Sequence, residues 1–561
     1  MRGSWVFVAL CAVMVDVVVL TSSSAAEPAG AEQAVPLNDR DVIQLINREL
    51  RQIWDQAQLR PSPKATEAEW CRRVFIDLIG RVPTVAELNI FLAEPGDRRT
   101  TLVDRLLGEA YQTEYSQHWA MIYGNLLIGR PYTAKSRATA QLADRAAFTS
   151  YLARSFAENK PYDRLVTELL TAEGSISPGA ADFNPAANYL VDKLKNDAIE
   201  ATAKTGNTFL AVRMQCFQCH CAPFSSWNQH EYWELNAFFR QSKVVQTSSP
   251  SAAAPRIINT DFVEGIVDPK RAEVQYELRC GQSRVAFPKM LRGPEGNPSG
   301  LLSDVNRREE LARFLVQNER FALAQVNRVW KHFLSYSFSG YRHESDDALD
   351  CLGAFEPLSR ELARQFIIHN YDNRRLLRWI ALSEPYGLSS KVIPANKGDD
   401  PELGVRSHFS HFYVRMLEPE VVYAAINTVR TQGATESIDW RQYIAERNEA
   451  LANFTQSLEN DEGELVSHPK GDPNQTLQVF NGRLTQQCLR LDESAILGKL
   501  KLSGKQNREI VEFLFLAAYG RKPTSGELKQ LAQAIRTDRV DDAHQDLLWS
   551  LINSNEFLFV Y

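Results

Sequence analysis

Thiols and an imidazole suited to holding a redox group crowd into one short stretch, Met214-Gln215-Cys216-Phe217-Gln218-Cys219-His220-Cys221-Ala222-Pro223-Phe224. Cys216, Cys219 and His220 spell C-x-x-C-H, the spacing of a c-type haem attachment site. Two thiols three positions apart reach the two vinyl groups of one porphyrin, and the adjacent imidazole ligates its iron from one face. Met290 or His230 is a candidate for the opposite face. The same residues support two other readings. Cys216, Cys219, Cys221, His220 and His230 are soft donors for a tetrahedral zinc ion. His220 and Cys221 are adjacent and point apart on any regular element, so not all five serve one ion. A Cys216–Cys219 disulfide, or thiols buried in a helical core, needs no cofactor at all. Phe217, Phe224, Trp227, Tyr232, Trp233, Phe238 and Phe239 suit a haem crevice and a plain core equally.

Other chemistry is sparse. Asn327-Arg328, followed by Trp330 and His332, sits in a strongly apolar helix, where a buried arginine is expected to pair with Asp346 or Asp347. His408 and His411 read as a solvated pair. A Gly-rich phosphate loop, a nucleophile-elbow serine and an H-E-x-x-H string are all missing from the sequence, which disfavours a standard hydrolase and leaves enzymatic activity open.

The elements that must position these groups read as mainly α. Apolar residues recur at helical spacing from Asp39 to Gln58, and helices follow at Glu67–Ile79 and after Thr84, where Thr84 and Glu87 form a capping box. More are predicted at 101–107, 145–158, 162–172, 200–212, 230–239, 307–315, 321–334, 358–369 and 374–382. Residues 241–305 break the pattern, with a strand over 272–278 that pairs with 283–287 as a hairpin. The expected organisation is a signal peptide at 1–26 and an N-terminal helical domain at 27–245. A linker with the hairpin occupies 246–305, and a C-terminal helical domain 306–561. Stretches 392–407 and 431–475 read as exposed loops with at most short helices. One repeat is visible: Phe75 to Leu88, through Gly80-Arg81-Val82-Pro83-Thr84, is echoed at Phe515 to Leu528, through Gly520-Arg521-Lys522-Pro523-Thr524. Each copy runs on to an acidic-aromatic pair, Glu114-Tyr115 and Glu556-Phe557, and 376–386 looks like a partial third copy.

Length and composition bound the class. A chain of 561 residues exceeds one ordinary core, and 44% hydrophobic with 24% charged residues is ordinary for a folded protein. A net charge of −6 excludes a basic nucleic-acid surface. Arg2, the apolar stretch 5–20 and Ser24-Ala25-Ala26 make a cleavable export signal, with a mature start at Glu27. No later stretch is long enough to span a membrane. The expected protein is exported, to periplasm, cell envelope or medium, with Cys71, Cys216, Cys219, Cys221, Cys280, Cys351 and Cys488 retained.

Trp70 to Thr84, Asn159-Lys160-Pro161-Tyr162-Asp163 and the Cys216–His220 block with Trp227 and Phe238-Phe239 resemble one family: the secreted cytochrome-like proteins of planctomycetes and related bacteria, built from two paired domains of unknown function. Marks of the second domain are Val326 to Trp330, Tyr371-Asp372, Leu382 to Tyr386, and Asp546 to Trp549 ending at Asn555-Glu556-Phe557. The resemblance covers nearly the whole mature chain, implies a cytochrome-like character and brings no established activity. Relatives usually read C-x-x-C-H-D-H-P-F. Here Cys221 and Ala222 replace the acidic residue and second histidine, and Ser225 stands where a further acid is expected. The favoured expectation is an exported haem c protein with a redox partner. The alternative is a non-haem envelope protein that binds a protein or glycan and uses the cysteines for zinc or a disulfide.

Overall fold

The computed structural model describes residues 35–131, 141–220, 226–245, 255–340, 349–433, 438–454, 482–534 and 540–561. Residues Leu37–Tyr561 form one compact unit. It is mainly helical, as the periodicity predicts.

The first half contributes α1 (Asp39–Gln56), α2 (Glu67–Ile79), α3 (Val85–Ala93), α4 (Arg98–Leu106), α5 (Gln112–Ile128), α6 (Arg145–Ala157), α7 (Tyr162–Thr171), α8 (Lys195–Leu210) and α9 (Gln229–Asn236). The second contributes α10 (Arg307–Gln317), α11 (Glu319–Leu334), α12 (Glu356–Ile368), α13 (Asn373–Ala381), α14 (Pro419–Thr431) and α15 (Trp440–Phe454). It ends with α16 (Arg483–Cys488), α17 (Ile496–Leu502), α18 (Asn507–Tyr519), α19 (Ser525–Ala534), α20 (Val540–Ile552) and α21 (Asn555–Leu558). Strands are short. β1 (Gly174–Ser175), β2 (Ser242–Val245) and β3 (Arg256–Asn259) form an antiparallel sheet in the order β1-β3-β2. β4 (Val274–Glu277) and β5 (Ser283–Ala286) make the expected hairpin, with Val274 opposite Ala286 and Glu277 opposite Ser283. β6 (Arg415–Met416) pairs with β7 (Phe559–Val560).

Several helix starts follow from their caps. Thr66 and Glu69 close a capping box on α2, and Thr84 and Glu87 another on α3. Asn38, Asp144 and Asp372 cap α1, α6 and α13 through their side-chain oxygens.

Helices α5, α14, α16 and α17 lie where none was expected, and α15 where at most short helices were. α5 is buried on nearly every side, including Glu114, Ser116 and His118, so it carries no apolar stripe to reveal it. α15 falls inside the stretch 431–475 read as an exposed loop with at most short helices, and its run of fifteen residues corrects that reading. The other expected loop, 392–407, is not wholly exposed. Asp399 is buried and accepts from the amides of His408 and Ser410 and from the hydroxyls of Ser410 and Tyr413, at 2.6–2.9 Å.

A single apolar cluster runs from Val42 to Val560. In it α7 packs on α10 and α8 on α11. Charged side chains join these parts. Arg307 is fully buried and donates to the carbonyls of Ser299, Ala237, Ala272 and Pro298 at 2.9–3.1 Å. Arg308 reaches the carbonyls of Leu170 and Ala172 at 2.8 Å and the side chains of Ser242 and Asn259. Desolvation pushes both guanidinium pKa values down to about 10. On α2, Arg72 donates to the carbonyls of Phe557 and Phe559, at 2.7 and 3.0 Å. Arg73 donates to the main-chain oxygens of Tyr561, Tyr386 and Leu388 and lies 3.5 Å over the ring of Phe412.

Candidate functional site

The cysteine turn is set by the helix before it. α8 ends at Ala211, whose left-handed φ of 51° swings the chain back toward the helix. Met214 then returns onto α8 at Gly206, where a Cβ would stand 2.4 Å from the Met214 sulfur; only glycine admits this approach. The next residues form a 3₁₀ turn, Gln215–Gln218, closed by the Cys219 amide donating to the Cys216 carbonyl at 3.4 Å. The short turn divides its side chains. Met214 and Phe217 are fully buried, whereas Cys216 and Cys219 are exposed and His220 is half-buried. Neither Cys216 nor Cys219 is in a disulfide. Cys221 lies outside the described residues, as do Ala222, Phe224 and Ser225.

α9 and the β4–β5 hairpin brace the turn from one side. Asn228 and Glu231 close a capping box at the start of α9. The Gln229 amide nitrogen bridges the carbonyls of Gln218 and Glu277, at 3.0 Å each, tying turn, helix and hairpin at one point. Trp233 stacks on Tyr276 with ring centroids 5.7 Å apart. The Tyr232 hydroxyl donates to the Ile199 carbonyl at 3.0 Å. Burial first, and then the charge of Cys219, hold that hydroxyl well above its usual pKa.

His230 does not stand open to a metal. Its Nδ1 is 2.9 Å from the Tyr276 hydroxyl and its Nε2 is 3.4 Å from Glu234. Among the described residues no group of three or more His, Cys, Asp or Glu side chains is placed to hold a metal ion. Met290 is buried in the core. The aromatic residues near the turn do not divide as its cysteines and core residues do. Phe217, Trp227, Tyr232, Phe238 and Phe239 are buried against protein, and Arg292 and Arg320 lie 4.2 and 5.4 Å from the Trp227 ring. In its donor set the turn fits a covalently held porphyrin: two accessible thiols and an imidazole within five residues.

The remaining sequence candidates are structural. Arg328 donates to the Tyr162 hydroxyl, the Gln325 amide oxygen and the Thr208 carbonyl; the expected partners Asp346 and Asp347 lie outside the described residues. His408 and His411 are not a solvated pair. His411 is buried with Nε2 2.9 Å from the Asp399 main-chain carbonyl, and His408 sits 3.7 Å from the Asp399 carboxylate, so both face one buried residue.

Periodicity and motif reading miss the braces at Gln229 and Tyr276, because amide and phenol bridges have no spacing signature. They also miss a second polar cluster inside the core. Asp77 binds Arg415 and accepts from the Tyr386 hydroxyl at 2.7 Å. Beside it the rings of His118 and His332 stand 6.3 Å apart. Desolvation, joined at His118 by the charge of His332, lowers both imidazole pKa values to about 3.

Residues 45–244 match the family described as PSCyt2, Protein of unknown function (DUF1549), and residues 307–463 match PSD1, Protein of unknown function (DUF1553). No curated protein and no solved structure matches the chain. The cysteine turn falls inside the first match. The paired domains implied by the sequence resemblance are therefore both present, and the chain carries these two domains of unknown function in tandem.

Proposed function

We propose that Cys216 and Cys219 hold a haem covalently, that His220 ligates its iron, and that the chain is an exported electron-transfer protein. The observation that carries this reading is the split character of one turn. Phe217 and Met214 anchor it in the core while both thiols of the C-x-x-C pair remain exposed and outside any disulfide. Structural thiols are more often buried, as Cys71 and Cys488 are here, where burial pushes their pKa values up and makes them inert. A haem held at the turn supplies one-electron transfer. The chain's own part would be to hold the thiols of Cys216 and Cys219 and the imidazole of His220 on a braced element. An attachment point at the surface suits exchange with a redox partner. Arg2, the apolar stretch and the small residues at 24–26 support export, and covalent haem attachment takes place outside the cytoplasm.

Expression in a host with haem-maturation machinery tests the reading. Acid–acetone extraction should leave colour on the protein, and the intact mass should exceed that of the apoprotein by one haem. Cys216→Ala or Cys219→Ala should lower or abolish attachment. His220→Ala should chiefly change the absorption spectrum. A colourless product with stoichiometric zinc, or with a 216–219 disulfide and no metal, would falsify the haem assignment. Either result would support the non-haem envelope role.

A further inference from the structure

Away from the cysteine turn, α16 and α20 enclose an open groove of about 1080 Å³. That is just above the usual range for small-molecule sites and gives room for a short oligomer. One wall presents Arg483 and Gln486, three residues apart on α16, and Arg490, on the chain that continues it. The facing wall is α20, with Gln545, Asp546 and Trp549. The walls are tied together: the Gln545 amide donates to the Leu489 carbonyl at 2.8 Å. Trp549 is 37% exposed, an unusual placement for an indole in a chain whose Trp54, Trp70, Trp227, Trp330 and Trp379 are all but completely buried.

We infer that this groove binds an acidic oligosaccharide, a property separate from the haem reading and independent of it. An indole face stacks on the C–H face of a pyranose ring. The glutamine amides both donate and accept, which suits the hydroxyls of a sugar. A guanidinium fork matches a carboxylate or sulfate in two parallel bonds. Both arginines are available for this. Arg483 has a carboxylate, Glu449, at 3.5 Å, and Arg490 has Asp492 at 3.7 Å; these pairs are exposed and long, and such contacts contribute little. The same inventory disfavours other ligands. Polar lining on both walls suits neither a lipid nor an apolar small molecule. Two cations with Asp546 among them, on a chain of net charge −6, do not make a nucleic-acid track.

Calorimetric titration of the full-length protein with carboxylated and sulfated hexasaccharides tests the assignment. A neutral hexasaccharide and an oligothymidylate of similar length serve as comparisons. Saturable binding of a charged sugar is expected, weaker at high salt, with the neutral sugar bound at least tenfold less tightly. Trp549→Ala should lower the affinity at least tenfold and Trp549→Phe should restore most of it. The Arg483→Ala/Arg490→Ala double variant should remove the salt dependence. Unchanged unfolding midpoints would show that the variants are folded, and the haem content of all of them should equal the parent's. Binding of neither charged sugar, binding indifferent to Trp549→Ala, or tighter binding of the oligothymidylate would each overturn the proposal.

Discussion

Gly80 and Gly520 occupy the same place in the two copies of the internal repeat, each ending a helix with left-handed φ, 76° and 74°. Sequence alone makes them equivalent, because a Gly before Arg-x-Pro-Thr reads as a C-cap in both. Their surroundings differ. A Cβ on Gly80 would meet the His118 ring at 2.2 Å, whereas on Gly520 nothing comes nearer than 3.8 Å. Gly520→Ala should therefore cost only the backbone penalty, about 1 kcal/mol. Gly80→Ala adds overpacking against a buried imidazole and should cost roughly 2–4 kcal/mol. Urea unfolding of the two variants checks this, and equal losses would mean that His118 yields without strain. The cysteine turn shows the same limit on what sequence reveals. The C-x-x-C-H string and its candidate ligands are legible as residue types. Which of them face solvent depends on Gly206 admitting Met214, a close approach that no spacing encodes.

The repeat becomes a physical unit once its arginine is followed. Arg81 binds Glu87 at 2.7–2.8 Å and Glu114 at 2.5 Å, and its Nη1 also donates to the Val82 carbonyl. Arg521 repeats every contact, with Glu527 at 3.0 Å, Glu556 at 2.5 Å and the Lys522 carbonyl. One guanidinium thus ties a helix end, the capping glutamate of the next helix and an acid about thirty residues on. In the partial third copy Glu384 takes Arg51 of α1 instead, at 2.7 Å. The caps are legible in sequence because Thr and Glu satisfy amides within their own turn. The Arg–Glu clamps are not, since Glu114 and Glu556 lie far along the chain. The two clamps should differ in worth. Arg81, Glu87 and Glu114 have side chains 8%, 18% and 7% exposed, against 32%, 32% and 30% for Arg521, Glu527 and Glu556. Arg81→Met removes the cation that two largely buried carboxylates share and should cost about 3–5 kcal/mol. Arg521→Met should cost about 1 kcal/mol or less. Comparable unfolding losses for the pair would refute burial as the deciding factor. Thr84→Ala should cost about 1 kcal/mol through its cap, measured in the same way.

At the scale of the whole molecule, the core carries its own acid sensitivity. The unfolded chain protonates His118 and His332 near their usual value of 6.5, the folded chain only near 3. Between those values the unfolded state binds more protons, so the stability present at neutral pH is lost as pH falls from 6.5 toward 3. The urea midpoint should drop steadily through this window, and His332→Gln should flatten the drop. A midpoint constant down to about pH 4 would show that the two imidazoles take up protons without opening the core. Sequence periodicity could not reveal this, because α5 and its His118 are surrounded on all sides, nor could it reveal how thoroughly the two halves share one interior. That sharing rests on buried arginines which satisfy themselves on carbonyls, a use that leaves no trace in charge pattern. The grip of Arg72 and Arg73 on the main chain at Phe557, Phe559 and Tyr561 spans up to 488 positions. Such distant pairings are slow to find, and until they form Arg72 lacks both of these carbonyls and Arg73 keeps only those of Tyr386 and Leu388. During synthesis the amino-terminal half should therefore remain a loosened, protease-sensitive intermediate until residues 557–561 have been made, which limited proteolysis of stalled nascent chains would check.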